Sequence, residues 1–215
     1  MKANLAPITD DTLLLDLPVV VFDCETTGLD IKIDDIVSVG SVNMQGDLIL
    51  PNTSIDQLIN PQRKIPRAST KIHGIGDEKV AECPTFITVW RSHIEPALTG
   101  RVIVGHNIGF DIAHLRRATS KIGQKWSADR WLDTLLLYAA LEPKAPAASL
   151  DTLASVFNVT VDGRHTALGD SLATAKIYQQ LLQRLHGAGV QTLGQAEKFS
   201  RRPKAILRMQ RRAGW

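Results

Sequence analysis

Val19-Val20-Val21-Phe22-Asp23-Cys24-Glu25-Thr26-Thr27-Gly28-Leu29 decides how the rest of the chain is read. An uncharged, β-branched apolar run indicates a strand buried on both faces, and this one ends in two carboxylates one residue apart. Side chains alternate along a strand, so Asp23 and Glu25 project to one side and Cys24 to the other. Two like charges on one face disfavour each other's ionisation unless a positive group joins them. A hard divalent cation is the natural occupant. On this pair alone, two acids solvating a loop mouth explain the pattern equally well. Two later stretches decide between the readings.

The 215 residues suit one ordinary domain, or one domain with an appendage. Hydrophobic residues make up 44%, with no low-complexity tract or internal repeat, as in a soluble globular protein. A formal charge of +3 is compatible with a nucleic-acid partner without arguing for one. Cys24 and Cys83 are the only cysteines, and nothing in their settings supports a bridge or a zinc site, so free thiols in a reducing cytoplasm are expected. The apolar run Leu13 to Phe22 is interrupted by Asp16 and Pro18. It is too short to span a bilayer and lacks a signal-peptide layout, so no membrane partner is expected.

Residues 1–17 are expected to form an N-terminal arm, 18–187 the main domain and 188–215 a basic tail. After the Thr-Thr-Gly turn and an exposed loop from Asp30 to Asp35, Ile36 to Val42 alternates like a half-buried strand. Leu48-Ile49-Leu50 and Leu58-Ile59 supply further strand material in an antiparallel meander. A short helix is expected within Ile65 to Ile75, then a helix from Thr85 to Leu98 with Phe86, Val89, Trp90, Ile94 and Leu98 on one stripe. Arg101 to Gly105 is a second buried strand, followed by a helix from Phe110 to Ile122. A short strand near Trp131-Leu132, helices from Asp133 to Leu141 and from Ser149 to Phe157, and a long helix from Thr166 to Leu185 complete the pattern. Strands first, helices later and one crossover helix imply an α/β fold, a mixed sheet with helices on both faces.

Ligands of such sheets gather at the carboxyl ends of the central strands. Asp23 and Glu25 stand at one such end. The second buried strand runs into Gly105-His106-Asn107-Ile108-Gly109-Phe110-Asp111, which brings Asp111 into the first turn of a helix. His165-Thr166-Ala167-Leu168-Gly169-Asp170 repeats the arrangement, with His165 before a helix and Asp170 one turn into it. Taken singly, Asp111 and Asp170 read as acids favourable to a helix dipole, and His165 as a solvated or capping residue. All of these coincidences holding in one chain, in this order and spacing, is a poor explanation.

The three stretches resemble the three motifs of the DEDDh exonuclease family, and are most similar to the proofreading (epsilon) subunit of bacterial DNA polymerase III and its stand-alone relatives. Asp23-x-Glu25-Thr26-Thr27-Gly28-Leu29 is similar to the first motif, His106-Asn107-x-x-Phe110-Asp111 to the second and His165-x-x-x-x-Asp170 to the third in its histidine form. His73-Gly74-Ile75 also resembles a segment of this family, and the likeness spans roughly Pro18 to Leu185. It implies a ribonuclease H-like fold, a five-stranded mixed sheet flanked by helices. It further implies that Asp23, Glu25, Asp111 and Asp170 bind two divalent metal ions, Mg²⁺ or Mn²⁺. Asp23 would bridge the pair, Glu25 and Asp170 would hold the ion beside the attacking water, Asp111 would serve the other, and His165 would be the general base. Thr26, Thr27 and Gly28 would offer backbone N–H groups to the terminal nucleotide. Leu29 would wedge against its base, Asn107 and Phe110 would line the pocket, and His73 would lie near sugar or phosphate.

The implied activity is a metal-dependent 3′–5′ exonuclease releasing nucleoside 5′-monophosphates from single-stranded or frayed DNA ends. Two alternatives stand beside it: an RNA 3′-end trimming exoribonuclease, and a catalytically silent nucleic-acid-binding adaptor. No clamp-binding peptide is recognisable after Leu185, so a free-standing repair or turnover enzyme is as good an expectation as a subunit partnered by a DNA polymerase. Lys198, Arg201, Arg202, Lys204, Arg208, Arg211 and Arg212, with no acid among them, make the tail suited to gripping phosphate or docking a partner.

Overall fold

The apolar run forms the middle strand of a sheet. In a computed structural model, which describes residues 7–145 and 147–201, five strands are present: β1 (Pro18–Thr26), β2 (Ile36–Gln45), β3 (Leu48–Leu58), β4 (Val102–Gly105) and β5 (Trp131–Asp133). Their order is β3-β2-β1-β4-β5. The pairs β1–β2 and β2–β3 are antiparallel, whereas β1–β4 and β4–β5 are parallel. This is the five-stranded mixed α/β sheet expected. The carboxyl end of β1 is therefore the point where the chain leaves for one side of the sheet and later returns on the other.

Two layers of helices cover the sheet because the strands are apolar on both sides. Val19, Val20 and Val21 are all fully buried, yet Val19 and Val21 join one core and Val20 the other. Side chains of this size contribute roughly 1.5–3 kcal/mol each on full burial. One face packs on α3 (Phe86–Val89), a π-helical turn (Trp90–Ile94), α4 (Glu95–Leu98) and α5 (Gly109–Lys121). The other packs on α6 (Thr134–Leu141), α7 (Leu150–Val156), α8 (Ala167–Gly187) and α9 (Leu193–Ser200). Between β3 and α3 lie two short helices, α1 (Arg67–His73) and α2 (Asp77–Val80).

Several elements depart from the periodicity reading, each for a physical reason. The stripe Val89, Trp90, Ile94 and Leu98 is buried as expected, but the helix carrying it opens into a π turn. Pro96 has no N–H to return to the preceding turn, and the Glu95 N–H instead reaches the Trp90 carbonyl. β3 runs unbroken past Pro51 because it is an edge strand, where a missing donor is tolerated. Residues 188–200, read as part of a tail, include α9, closed by a Thr192–Gln195 capping box and burying Leu193 and Ala196 in the main core. The arm is likewise attached: Leu14 and Leu17 are buried, and the Leu14 N–H donates to the Gln191 carbonyl at 2.8 Å. Of the tail cations, Lys198 and Arg201 are described, whereas Arg202, Lys204, Arg208, Arg211 and Arg212 lie outside the described residues. Cys24 is buried and Cys83 half-buried, both free. Among the described residues no helix is long and apolar enough to cross a membrane.

One contact between layers sets the position of everything at the end of β1. Asp23 pairs directly across the antiparallel ladder with Gly40 of β2, so the two share a face. A Cβ on Gly40 would stand 2.1 Å from both the Ala167 carbonyl carbon and the Leu168 nitrogen. The backbone of the first turn of α8 thus rests on bare strand, and the Ser171 hydroxyl donates to the Gly40 carbonyl at 2.9 Å. Gly40→Val is expected to lower the melting temperature by about 5–10 °C, the equivalent of ~2–3 kcal/mol of overpacking in a chain this long, and to speed amide exchange in the first turn of α8. Unchanged melting and exchange would show that this approach is not tight.

Candidate active site

Asp23 and Glu25 reach the α8 side of the sheet at the end of β1, and the turn after them is built by neighbours close in sequence. The Thr26 hydroxyl donates to the Gly28 carbonyl at 2.6 Å. The Thr27 hydroxyl donates to Asp34 at 2.8 Å, and the Thr27 N–H to the Asp35 carbonyl at 2.8 Å. The second Asp34 oxygen accepts the Asp30 N–H at 2.9 Å. Asp35 is held in turn by Arg117 at 2.8 Å and Lys121 at 2.5 Å from α5. The turn is thereby rigid, and the Thr27 N–H expected for a nucleotide is already consumed by Asp35. Leu29 sits at the tip, 80% exposed, so it is not a core residue. His73 is buried, its Nδ1 accepting the Ile75 N–H at 3.0 Å and its Nε2 lying 3.3 Å from the Thr26 carbonyl. Both ring nitrogens are thus engaged with backbone, and the histidine props the turn from behind.

The second stretch comes over the sheet end from the opposite layer. Asp111, buried in the first turn of α5, accepts the Cys24 N–H at 2.9 Å, which fixes it beside the Asp23–Glu25 pair. Asn107 has a left-handed backbone, φ +57°, and is exposed. Phe110 is half-buried and packs on His114 with ring centroids 4.4 Å apart. The bend is held by Asp133, whose carboxylate accepts the Asn107 N–H at 3.0 Å and the Leu135 N–H at 3.0 Å. Asp133 caps α6 and anchors the loop before α5 with one side chain. A sequence signal existed, since an acid immediately before an apolar helical run is an N-cap pattern; its second partner left no trace.

The third stretch supplies Asp170 from the first turn of α8, where Thr166 caps the helix by accepting the Gly169 N–H. One oxygen each of Asp23, Glu25 and Asp170 lies within 4.8 Å of the others. Asp111 stands next to this trio rather than within it. His165 is exposed at the rim, with φ +62°. The residue the sequence reading passed over is Arg164. Its Nη1 donates to Asp170 Oδ2, and its Nε and Nη2 meet the two oxygens of Asp151 at 2.8 and 3.2 Å. A lone arginine before a histidine carries no recognisable pattern.

The acids are held above their ordinary pKa. Burial, then the carboxylates of Asp170 and Asp111, pushes Glu25 up to about 8. Burial pushes Asp111 up to about 7. Asp23 is raised by burial and then by Asp111, Glu25 and Asp170, and burial raises Asp170 as well. Asp170 Oδ1 is buried without a hydrogen-bond partner. Crowded oxygens, an unpartnered buried acceptor and surplus negative charge together fit a divalent cation. In the unfolded chain these carboxyls ionise near pH ~4. The folded state therefore holds more protons up to about pH 8, and its stability falls as pH rises through that range. Half-buried His106, depressed to about 4 chiefly by desolvation, acts oppositely but has finished titrating in both states above pH ~7. Metal-free protein is expected to melt at a lower temperature at pH ~8.5 than at pH ~7, with Glu25→Gln flattening the difference. Scanning calorimetry in chelator showing a rise over that interval would contradict the assignment.

Comparison with known proteins bears on the family and the fold. The exonuclease (RNase_T) family matches residues 20–178. A protein of Rhodobacter capsulatus described as DNA polymerase III subunit epsilon-like is 40% identical over 187 residues, 86% of this chain and 26% of the relative. A PolC-type DNA polymerase III of Caldanaerobacter subterraneus subsp. tengcongensis is 34% identical over 176 residues, 82% of this chain and 12% of the relative. The chain thus spans about a quarter or less of these curated relatives. Exonuclease X bound to 5′ overhanging duplex DNA superposes with a TM-score of 0.65 at 24% identity, covering 85% of this chain and 99% of that one. Escherichia coli Exonuclease I bound to a dT13 oligonucleotide gives 0.68 at 16% identity, covering 80% and 42%. These two likenesses are of fold, the ribonuclease H-like arrangement implied by the motifs. With the match extending across most of its length, the chain belongs to the exonuclease (RNase_T) family.

Proposed function

We propose that this protein is a metal-dependent 3′–5′ exonuclease that hydrolyses the terminal phosphodiester of a DNA strand and releases nucleoside 5′-monophosphates. The carrying observation is that Asp23, Glu25 and Asp170 converge within 4.8 Å from segments nearly 150 residues apart, with Asp111 beside them and His165 at the open edge. Two divalent ions, Mg²⁺ or Mn²⁺, held by these four acids would supply electrostatic stabilisation of an attacking and a departing oxygen. The hard oxygen donor set suits such ions.

The remaining roles belong to the chain's own groups. His165, exposed beside Asp170, accepts the proton of the attacking water as a positioned general base. The pinned turn at Thr26, Thr27 and Gly28 receives the terminal nucleotide, and exposed Leu29 meets its base. Asn107 and Phe110 line the opposite wall, and His73 acts by holding the turn. DNA is favoured over RNA by the DNA-bound state of both structural neighbours. The polymerase III names of the relatives favour a role in proofreading or repair, with a DNA polymerase as partner. The basic residues after α9 would add grip on the strand.

A digest of 3′-labelled DNA and RNA oligonucleotides with Mn²⁺, with and without chelator, tests this reading. Chelator-sensitive mononucleotide release from DNA is expected. Faster release from RNA would favour the trimming alternative. No release, with binding that survives Asp23→Ala, would favour the silent adaptor.

Asp23→Ala and Asp170→Ala are expected to reduce turnover by about three orders of magnitude or more, and Asp23→Ala to do so without lowering the melting temperature in metal-free buffer, because it removes a repelling charge. His165→Ala is expected to reduce turnover by roughly 10²–10⁴ while Mn²⁺ binding persists. Turnover near that of the unsubstituted protein would remove His165 from the mechanism.

A further inference from the structure

Arg164 is a cation acting on Asp23 and Glu25, and both are lowered by it against the rise imposed by burial and their fellow acids. It does so from a particular position. Its guanidinium lies between an outer and an inner carboxylate, Asp151 with its side chain 61% exposed and Asp170 at 7%. The outer contact is two-pronged, Nε and Nη2 each meeting one Asp151 oxygen. The inner contact is a single Nη1 donating to Asp170 Oδ2, and the same nitrogen stands 3.3 Å from His165 Nδ1. One planar fork therefore ties together the third acid, the candidate base and an anchor outside the pocket.

A guanidinium and a divalent ion cannot share the Asp170 carboxylate without strong mutual repulsion in a partly dehydrated pocket. Asp151, on the first turn of α7, offers Arg164 a place to stay when the inner contact is lost. A forked donor suits this better than an ammonium, because one face can remain paired while the other lets go.

We infer that Arg164 is the resident counter-cation of the metal-free pocket, shared between Asp170 and Asp151, and that a divalent ion bound at Asp170 displaces it onto Asp151 alone. Arg164 is then a positioning residue. It keeps Asp170 aimed at Asp23 and Glu25 before the ion arrives and occupies His165 Nδ1 until then. Asp151 sets how readily it lets go. The inference rests on the reading of the acidic pocket as a metal site.

Calorimetric titration of Mn²⁺ into the 215-residue chain, without nucleic acid, tests it. Arg164→Gln removes the competitor and is expected to tighten Mn²⁺ binding on the order of tenfold, while lowering the melting temperature in chelator. Asp151→Asn removes the outer anchor, leaves the guanidinium on Asp170 and is expected to weaken binding severalfold. Opposite shifts in the two variants are the signature, because a merely structural role would move both the same way. Affinity unchanged in Arg164→Gln, or moved in the same direction by both variants, would overturn the assignment of Arg164. Absence of saturable Mn²⁺ binding in the unsubstituted protein would instead overturn the metal-site reading beneath it.

Discussion

Asp23 faces Gly40 across the β1–β2 ladder, and the missing side chain at Gly40 lets a helix lie on the sheet beside that acid. The rest of the site depends on this closeness. α8 brings Asp170 only because its first turn meets strand backbone directly, and the Ser171 hydroxyl bonded to the Gly40 carbonyl secures the landing. Asp111 is located by an equally short chain of cause, since its carboxylate accepts a main-chain N–H of the same strand. Two acids of the strand, one from each helical layer, and a sheet end open to solvent make a pocket whose negative charge exceeds what its own residues neutralise.

The excess explains the electrostatics. Burial and mutual repulsion raise the carboxyls well above the usual range, and Arg164, shared with an outer acid, acts against that rise on Asp23, Glu25 and Asp170. Metal-free protein is accordingly a compromise between protons and Arg164. The surrounding structure is stiff where the pocket is not. The Asp34 and Asp35 bonds, with Arg117 and Lys121, fix the turn after β1. Asp133 fixes the bend before α5. The protein thus keeps acids crowded without letting the backbone relax away from them.

Much of this was readable in the chain before its structure. The run Val19 to Phe22 ending in Asp23 and Glu25 could hardly be anything but a central strand delivering two acids to one side, and the spacing of His165 to Asp170 placed a third at a helix start. Periodicity reports which face is buried, and for the stripe Val89, Trp90, Ile94 and Leu98 it did so correctly. It does not report how closely two backbones approach, so Gly40 looked like an ordinary strand residue although its partner lies 131 positions away at Ser171. Nor does it reveal what a polar side chain bonds to. Asp133, Asp34 and Arg164 act through partners remote or unpatterned in sequence, and His73 links its own segment at Ile75 to the Thr26 carbonyl through its two ring nitrogens. α9 was obscured by the basic residues around it, though a Thr-x-x-Gln cap before an amphipathic run marks its start.

The account stands on the acids of β1, α5 and α8 forming one cation-loading pocket. A crystal grown with manganese and measured at the manganese absorption edge tests it most directly. Anomalous density enclosed by Asp23, Glu25, Asp111 and Asp170, with the Arg164 side chain turned toward Asp151, is the result expected. Manganese absent from the pocket of well-ordered crystals, or the four side chains pointing to separate places, would contradict it.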